Sequence, residues 1–123
     1  MIESQAFSLP KMIRSFRYAG AGFEKFIVRE RNAKIHAVAT LLVIIAAFIW
    51  KTTIGEMIAL SIAVGLVWIA ELFNTAIERT TDLILKERNP EIGFIKDISA
   101  AGVLVAAAVS FIIGCLVFIP KIL

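Results

Sequence analysis

The segment IGEMIALSIAVGLVWIAELFNTAIERTTD, residues 54–82, decides how this chain folds. Its first part is almost entirely apolar and suits a helix that crosses the ~30 Å hydrocarbon core of a bilayer. Its second part carries Glu71, Asn74, Glu78 and Asp82. Offsets of 3, 7 and 11 residues place these four side chains, here called the polar stripe, on one face of an α-helix. The segment therefore predicts a membrane-spanning helix that continues into a polar site.

The composition places the whole chain in a membrane. It has 123 residues, 59% of them hydrophobic, and a mean hydropathy of +0.87, which lies outside the range of soluble proteins. Three segments are apolar over nearly the ~20 residues that a span requires, at about 33–50, 54–73 and 98–119. We therefore expect a single domain, residues 1–123, of the all-α membrane class.

A further helix is predicted before the first span, at about 10–29. Apolar residues recur there at spacings of three and four, while most Lys and Arg residues occupy the other positions. This pattern is typical of a basic amphipathic helix in the headgroup region, although a helix that simply packs on the spans would show it as well. The predicted fold is thus three transmembrane helices plus an N-terminal amphipathic surface helix.

The charges predict the orientation. Of the 13 Lys and Arg residues, seven precede the first span and four lie in residues 79–97, leaving only Lys51 and Lys121 for the opposite side. By the positive-inside rule, the N-terminus and residues 79–97 face the cytoplasm and the C-terminus lies outside. The polar stripe then emerges on the cytoplasmic side. Nothing in the sequence indicates a nucleic acid as a partner.

Glu71 is the candidate base. It lies about 25 Å along the helix from Ile54, just inside the inner hydrocarbon boundary, with Glu78 about 10 Å further on. We expect Glu71 to be half-buried and Glu78 to be accessible. A carboxylate near hydrocarbon is a better proton acceptor than a solvated one, so Glu71 is suited to act on a group arriving from the membrane.

Other charged residues flank the spans. Glu30 and Lys34 lie one helical turn apart before the first span, and Lys96-Asp97 is expected to start the third helix. Glu30, Glu78 and Asp97 are candidate ligands for Mg²⁺, which favours one or two carboxylates plus phosphate oxygens. Lys96 is a candidate phosphate contact. A base, carboxylates for a metal and a cation are the parts that phosphoryl transfer needs, although neither a GxxxxGK[ST] nor a kinase-type Gly-rich loop is present.

Simpler roles are open for several residues. Lys34, Lys96 and Arg79 could extend to the headgroups, and His36 is interpreted as an interfacial or packing residue. Glu56 is interpreted as a loop or helix-start residue and Cys115 as a packing residue of the core. Small residues recur every four positions in the third span and predict a close helix contact; they are Gly102, Ala106, Ser110 and Gly114.

The same residues are also compatible with two classes of protein that are not enzymes. In a small proton-coupled transporter, an intramembrane Glu would exchange a proton for a substrate, but such a protein is expected to have a carboxylate nearer the bilayer centre. A membrane adaptor would use the small residues for assembly and leaves the polar stripe unexplained.

The stretch ELFNTAIE, residues 71–78, resembles the signature E-x-x-N-[ST]-A-I-E of the small bacterial membrane lipid kinases, which comprise prokaryotic diacylglycerol kinase and undecaprenol kinase. Asp82, Lys96-Asp97 and Glu30 match that family as well, and Tyr18 and Gly22 extend the resemblance into the first helix. The resemblance covers nearly the whole chain.

The resemblance implies a homotrimer in the bacterial cell membrane, with active sites shared between subunits. Such an enzyme moves the γ-phosphate of ATP, with Mg²⁺, onto the hydroxyl of a membrane lipid. It implies Glu71 as the catalytic base, and Glu30 and Glu78 as metal-binding carboxylates that also contact the nucleotide. The remaining implied site residues are the nucleotide contacts Tyr18, Lys96 and Asp97 and the polar residues Asn74, Lys34 and Asp82.

The resemblance also bears on the lipid. The run ERNAKIH, residues 30–36, is similar to the E-x-N-x-[KR]-I-H version of the undecaprenol kinase branch, and residues 15–19 point the same way. We therefore expect undecaprenol as the acceptor, with diacylglycerol as the alternative. An apolar pocket discriminates poorly between long lipid tails.

Overall fold

A computed structural model describes residues 7–123, and in this range the chain forms four α-helices. They are α1 (Leu9–Arg29), α2 (Arg31–Ile49), α3 (Ile54–Ile84) and α4 (Pro90–Ile122). α2, α3 and α4 are long and apolar enough to cross a membrane, so the predicted all-α class is confirmed and each candidate span coincides with one of these helices. Most large apolar side chains of these helices are exposed, as expected when lipid or another protein surface covers them.

The helix predicted at about 10–29 is present as α1. It ends at Arg29. Glu30, which has an extended backbone (φ −97°, ψ 125°), is the one residue between α1 and α2. The ring of Trp68 on α3 lies against two α1 rings, with centroid distances of 5.4 Å to Phe23 and 6.2 Å to Phe26. A position on the membrane surface stays a prediction for α1.

A short turn joins α2 to α3, and α3 starts with a capping box. The Thr53 hydroxyl accepts a hydrogen bond from the Glu56 N–H at 3.2 Å, and the Glu56 carboxylate accepts one from the Thr53 N–H at 2.9 Å. The helix-start interpretation of Glu56 is therefore confirmed. The same carboxylate pairs with Lys121 at 2.9 Å, so the end of α4 lies beside the start of α3 and the two helices are antiparallel.

The expected start of the third spanning helix was wrong. α4 begins at Pro90, so Lys96 and Asp97 lie within the helix and not at its start. Proline suits the first turn of a helix because its missing N–H needs no partner there. The Asn89 side chain caps the N-terminus of α4 by accepting from the Glu91 N–H at 2.9 Å. The helix before it, α3, continues to Ile84 and carries the whole polar stripe.

The row of small residues packs inside the chain. α4 makes its main contacts with α3, and the Ser110 hydroxyl donates a hydrogen bond to the Ala63 carbonyl at 2.8 Å. Ala106 is buried, whereas Gly102 and Gly114 have open space around the position of a Cβ. The row therefore serves the α3–α4 contact in its middle and leaves its two ends uncovered.

The capping box gives a testable prediction. Thr53→Ala removes the acceptor of the Glu56 N–H and is expected to lower the free energy of unfolding by about 1 kcal/mol. The matched control is Thr53→Ser, which keeps the hydroxyl and should unfold like the parent. The midpoint of denaturant-induced unfolding in detergent measures both, and equal midpoints for Ala and Ser would contradict the role of the cap.

Candidate functional site

Burial decreases along the polar stripe in the direction of the chain. Glu71 and Asn74 are 3% and 8% exposed, Glu78 is partly exposed and Asp82 is exposed. Glu71 is therefore more deeply buried than the half-buried position expected for it, because α2 packs over this part of α3. The stripe connects a buried carboxylate to an accessible one.

His36 on α2 is the partner of Glu71. Its Nε2 lies 3.0 Å from Glu71 Oε1, and the side chains are 21% and 5% exposed for His36 and Glu71. His36, interpreted as an interfacial or packing residue, does pack against Trp68, and it also makes this polar contact, which the interpretation did not include. The signal lay in the antiparallel order of two spans: His36 and Glu71 are at similar distances from the short turn that joins α2 to α3.

Two polar atoms of the stripe are buried without a hydrogen-bond partner among residues 7–123, Oε2 of Glu71 and Oδ1 of Asn74. The amide of Asn74 donates to Glu78 Oε1 at 3.3 Å. Buried polar groups are nearly always paired because an unpaired one costs free energy. These two atoms are therefore the first candidates for contact with a ligand.

An ion pair with Arg79 holds Glu30 beside the part of α3 that carries Glu78. The Nε and Nη2 of Arg79 donate to Glu30 Oε1 at 3.2 and 2.5 Å, so α3 is tied to the junction of α1 and α2 one residue after Glu78. The headgroup role considered for Arg79 did not anticipate this ion pair. In the part of the chain that the structure describes, no three His, Cys, Asp or Glu residues are grouped to hold a metal ion. Glu30 and Glu78 nevertheless fit Mg²⁺ by donor type, since two carboxylates plus phosphate oxygens suffice.

Lys96 reaches the accessible end of the stripe, where it forms an ion pair with Asp82. This pair joins α3 to α4 and places the predicted phosphate contact beside the stripe. Tyr18, Lys34 and Asp97 are exposed. Within residues 7–123 the structure gives these three side chains no hydrogen bond to the stripe, so it does not bring them into the cluster.

An apolar groove of about 480 Å³ runs between α2, α3 and α4. His36 is at one end of its lining and is thus shared between the groove and the buried carboxylate. Cys115 lines the groove and is half-buried, so it packs at a groove wall and not in a closed core. The groove offers a long apolar chain a place beside the Glu71–His36 pair.

A sequence profile described as Prokaryotic diacylglycerol kinase matches residues 17–118. The chain belongs to this family. The profile covers most of α1, all of α2 and α3 and nearly all of α4, and it includes the whole polar stripe. Membership in the prokaryotic diacylglycerol kinase family makes this chain a lipid kinase, a phosphotransferase, and sets aside the transporter and the adaptor.

Individual relatives in this family carry two names. An undecaprenol kinase of Bacillus subtilis is 39% identical over 114 residues, which are 93% of each chain. A diacylglycerol kinase of Synechocystis sp. is 36% identical over 115 residues, 93% of this chain and 66% of that protein. A diacylglycerol kinase of Escherichia coli K12 is 33% identical over 107 residues, 86% of this chain and 87% of that protein. This chain is similar to lipid kinases with two different named lipids.

The unpaired oxygen of Asn74 generates a prediction that separates folding from activity. Asn74→Leu exchanges a buried amide for an apolar side chain of similar size, so the free energy of unfolding should change by less than about 1 kcal/mol. Kinase activity should nevertheless decrease by about 100-fold or more, as when an aligned polar group of an active site is removed. Denaturation midpoints and phosphate transfer are measured on the same preparations.

The matched control is Thr81→Val on the same helix. Thr81 is also buried, but its hydroxyl is paired with the Glu78 carbonyl at 2.8 Å. This variant should lose up to about 1 kcal/mol of stability and keep its activity. A large loss of stability in Asn74→Leu, with activity lost in proportion, would assign the amide to the fold.

Proposed function

We propose that this lipid kinase transfers the γ-phosphate of ATP to the hydroxyl of undecaprenol at the cytoplasmic face of the bacterial cell membrane. One observation carries the proposal. The Glu71 carboxylate is buried in an apolar helix, with Oε1 held by His36 and Oε2 unpaired among the described residues 7–123. An oriented and desolvated carboxylate is suited to accept the proton of a lipid hydroxyl.

The other residues of the site, in the stripe and around it, would bind the metal ion and the nucleotide. Glu30 and Glu78 would hold Mg²⁺, which when bound neutralises charge on the phosphates. The Asn74 amide orients Glu78, and Lys96 neutralises phosphate charge from the α4 side. Tyr18 and Asp97 are assigned to the nucleotide, and Lys34 to the polar surroundings of the site, by resemblance alone.

Two ion pairs would have to open for these roles. Glu30 is paired with Arg79 and Lys96 with Asp82, and all four side chains are partly or well exposed. Such pairs contribute only about 0–1 kcal/mol each, so a metal or a phosphate group can replace one partner at small cost. The released Arg79 and Asp82 remain beside the site.

Two observations favour undecaprenol over diacylglycerol. The B. subtilis relative at 39% identity is named undecaprenol kinase, and residues 30–36 follow the pattern of that branch. The apolar groove ends at His36, beside the proposed base, and suits the long apolar tail of either lipid. Diacylglycerol remains the alternative because relatives at 36% and 33% identity carry that name.

The active form is proposed to be a homotrimer with sites shared between subunits, with the N-terminus and the site in the cytoplasm. The many exposed apolar side chains of α2, α3 and α4 leave surface for contacts between copies as well as for lipid. α1 is proposed to lie as an amphipathic helix on the membrane surface. A detergent-solubilised monomer with full activity would exclude the shared sites.

The lipid preference is tested with labelled Mg-ATP in mixed micelles, with undecaprenol and diacylglycerol offered separately and in competition. We expect label in undecaprenyl phosphate to exceed label in phosphatidic acid by at least about tenfold, a difference of about 1.4 kcal/mol in transition-state binding. A preference for diacylglycerol would keep the site and overturn the lipid. Transfer to neither lipid by folded protein would remove the proposed reaction.

The two carboxylates are tested against each other. Glu71→Gln is expected to abolish transfer with a modest loss of ATP binding, because it removes the proton acceptor. In contrast, Glu78→Gln should weaken both transfer and Mg-ATP binding, because it removes a metal ligand. Nucleotide binding is measured by equilibrium titration and transfer by the labelled assay. Near-normal turnover by Glu71→Gln would show that the base is another group.

A further inference from the structure

His36 is held in place by a small frame of side chains from three helices. Its ring lies against the Trp68 ring at a centroid distance of 6.3 Å and an interplanar angle of 61°. The Trp68 indole N–H donates to the Thr40 hydroxyl at 2.9 Å, and that hydroxyl donates to the His36 carbonyl at 2.7 Å. Trp68 also packs against Phe23 and Phe26 of α1. The imidazole therefore has a fixed position above Glu71.

His36 contacts only one of the two carboxylate oxygens of Glu71. Oε1 lies 3.0 Å from the imidazole Nε2, while Oε2 is buried and has no partner among residues 7–123. A neutral imidazole that carries its proton on Nε2 donates to Oε1 and leaves the carboxylate charged. Only Oε2 then remains available to take up a proton from an arriving hydroxyl.

We propose that His36 is a positioning residue of the kinase: as a neutral Nε2–H donor it fixes Glu71 so that Oε2 receives the proton of the lipid hydroxyl. This rests on the proposed function. In the step, the lipid O–H bond breaks and its proton goes to Oε2. The lipid oxygen forms a bond to the γ-phosphorus of ATP, and the bond from that phosphorus to the bridging oxygen breaks with its electron pair leaving on ADP.

The chain offers a direct test of the proton position, because it contains a single histidine. The ring ¹⁵N resonances of histidine-labelled protein in detergent can therefore belong only to His36. We expect the neutral form with the proton on Nε2. A ring with its proton on Nδ1 and a bare Nε2, or a doubly protonated ring at the pH of full activity, would overturn the proposal.

Kinetics test the positioning itself. His36→Leu removes the donor, and we expect kcat to decrease on the order of 10²-fold, as for a reacting group displaced by about 1 Å, with KM for lipid and nucleotide within about twofold. His36→Gln places an amide N–H near the position of Nε2 and should restore kcat to at least about ten times that of His36→Leu. An equal loss in both variants would overturn the donor role.

Thr40→Val is the matched structural control. It removes the hydroxyl that accepts from Trp68 and donates to the His36 carbonyl but keeps the Nε2–H donor, so its kcat should decrease by less than about tenfold, well short of the loss in His36→Leu. A loss as large as that of His36→Leu would show that His36 acts only through packing. If His36→Leu does not fold, the kcat of His36→Gln and the ¹⁵N ring resonances of His36 still test the proposal.

Glu71→Gln is assayed in parallel to separate this inference from the proposed function. If Glu71→Gln is inactive while His36→Leu keeps full kcat, the positioning role is wrong and the base assignment stands. If Glu71→Gln itself turns over normally, the base assignment fails first and the inference about His36 fails with it.

Discussion

A charged side chain inside an apolar helix is the constraint on which the rest of this structure depends. Placing a carboxylate among hydrocarbon costs several kcal/mol unless it is hydrogen-bonded, and the polar partner of Glu71 lies on a neighbouring helix and not on its own. The contact requires α2 and α3 to be antiparallel and in one register. The short capped turn between them and the Trp68–Thr40 bond supply that register.

The position of Glu71 within an apolar helix also explains why the polar site extends from the apolar region to the accessible end of α3. α3 is longer than a span needs, and its last turns leave the apolar region with the accessible part of the polar stripe on them. Glu30 from the α1–α2 junction and Lys96 from α4 meet this extension through ion pairs. The accessible polar residues thus come from near the ends of helices, whereas the buried Glu71 carboxylate lies in the middle of α3.

Much of this arrangement could be predicted from the sequence, because hydropathy and helical spacing act locally. The three spanning helices, the N-terminal helix and the common face of Glu71, Asn74 and Glu78 all follow from residues a few positions apart. The start of α4 could not be predicted as well, because Pro90 both breaks and begins helices and only the Asn89 cap decides between them.

Contacts between distant residues were harder still. His36 and Glu71 are 35 positions apart. A lone histidine in an apolar helix has no periodicity to interpret, and only its distance from the α2–α3 turn, similar to that of Glu71, points to its partner. Arg79 likewise gave no sign that it would pair with Glu30, which lies 49 positions earlier. Register between helices, and not periodicity within them, determines such pairs.

The single extended residue between α1 and α2 has a mechanical consequence. Because only one residue links α1 to α2, α1 cannot change its angle to α2 without a rotation about φ or ψ of Glu30. Each such rotation turns the Glu30 carboxylate toward or away from α3. The tilt of α1 and the direction of the Glu30 carboxylate are therefore coupled. A force that tilts α1 also moves this carboxylate at the accessible end of the site.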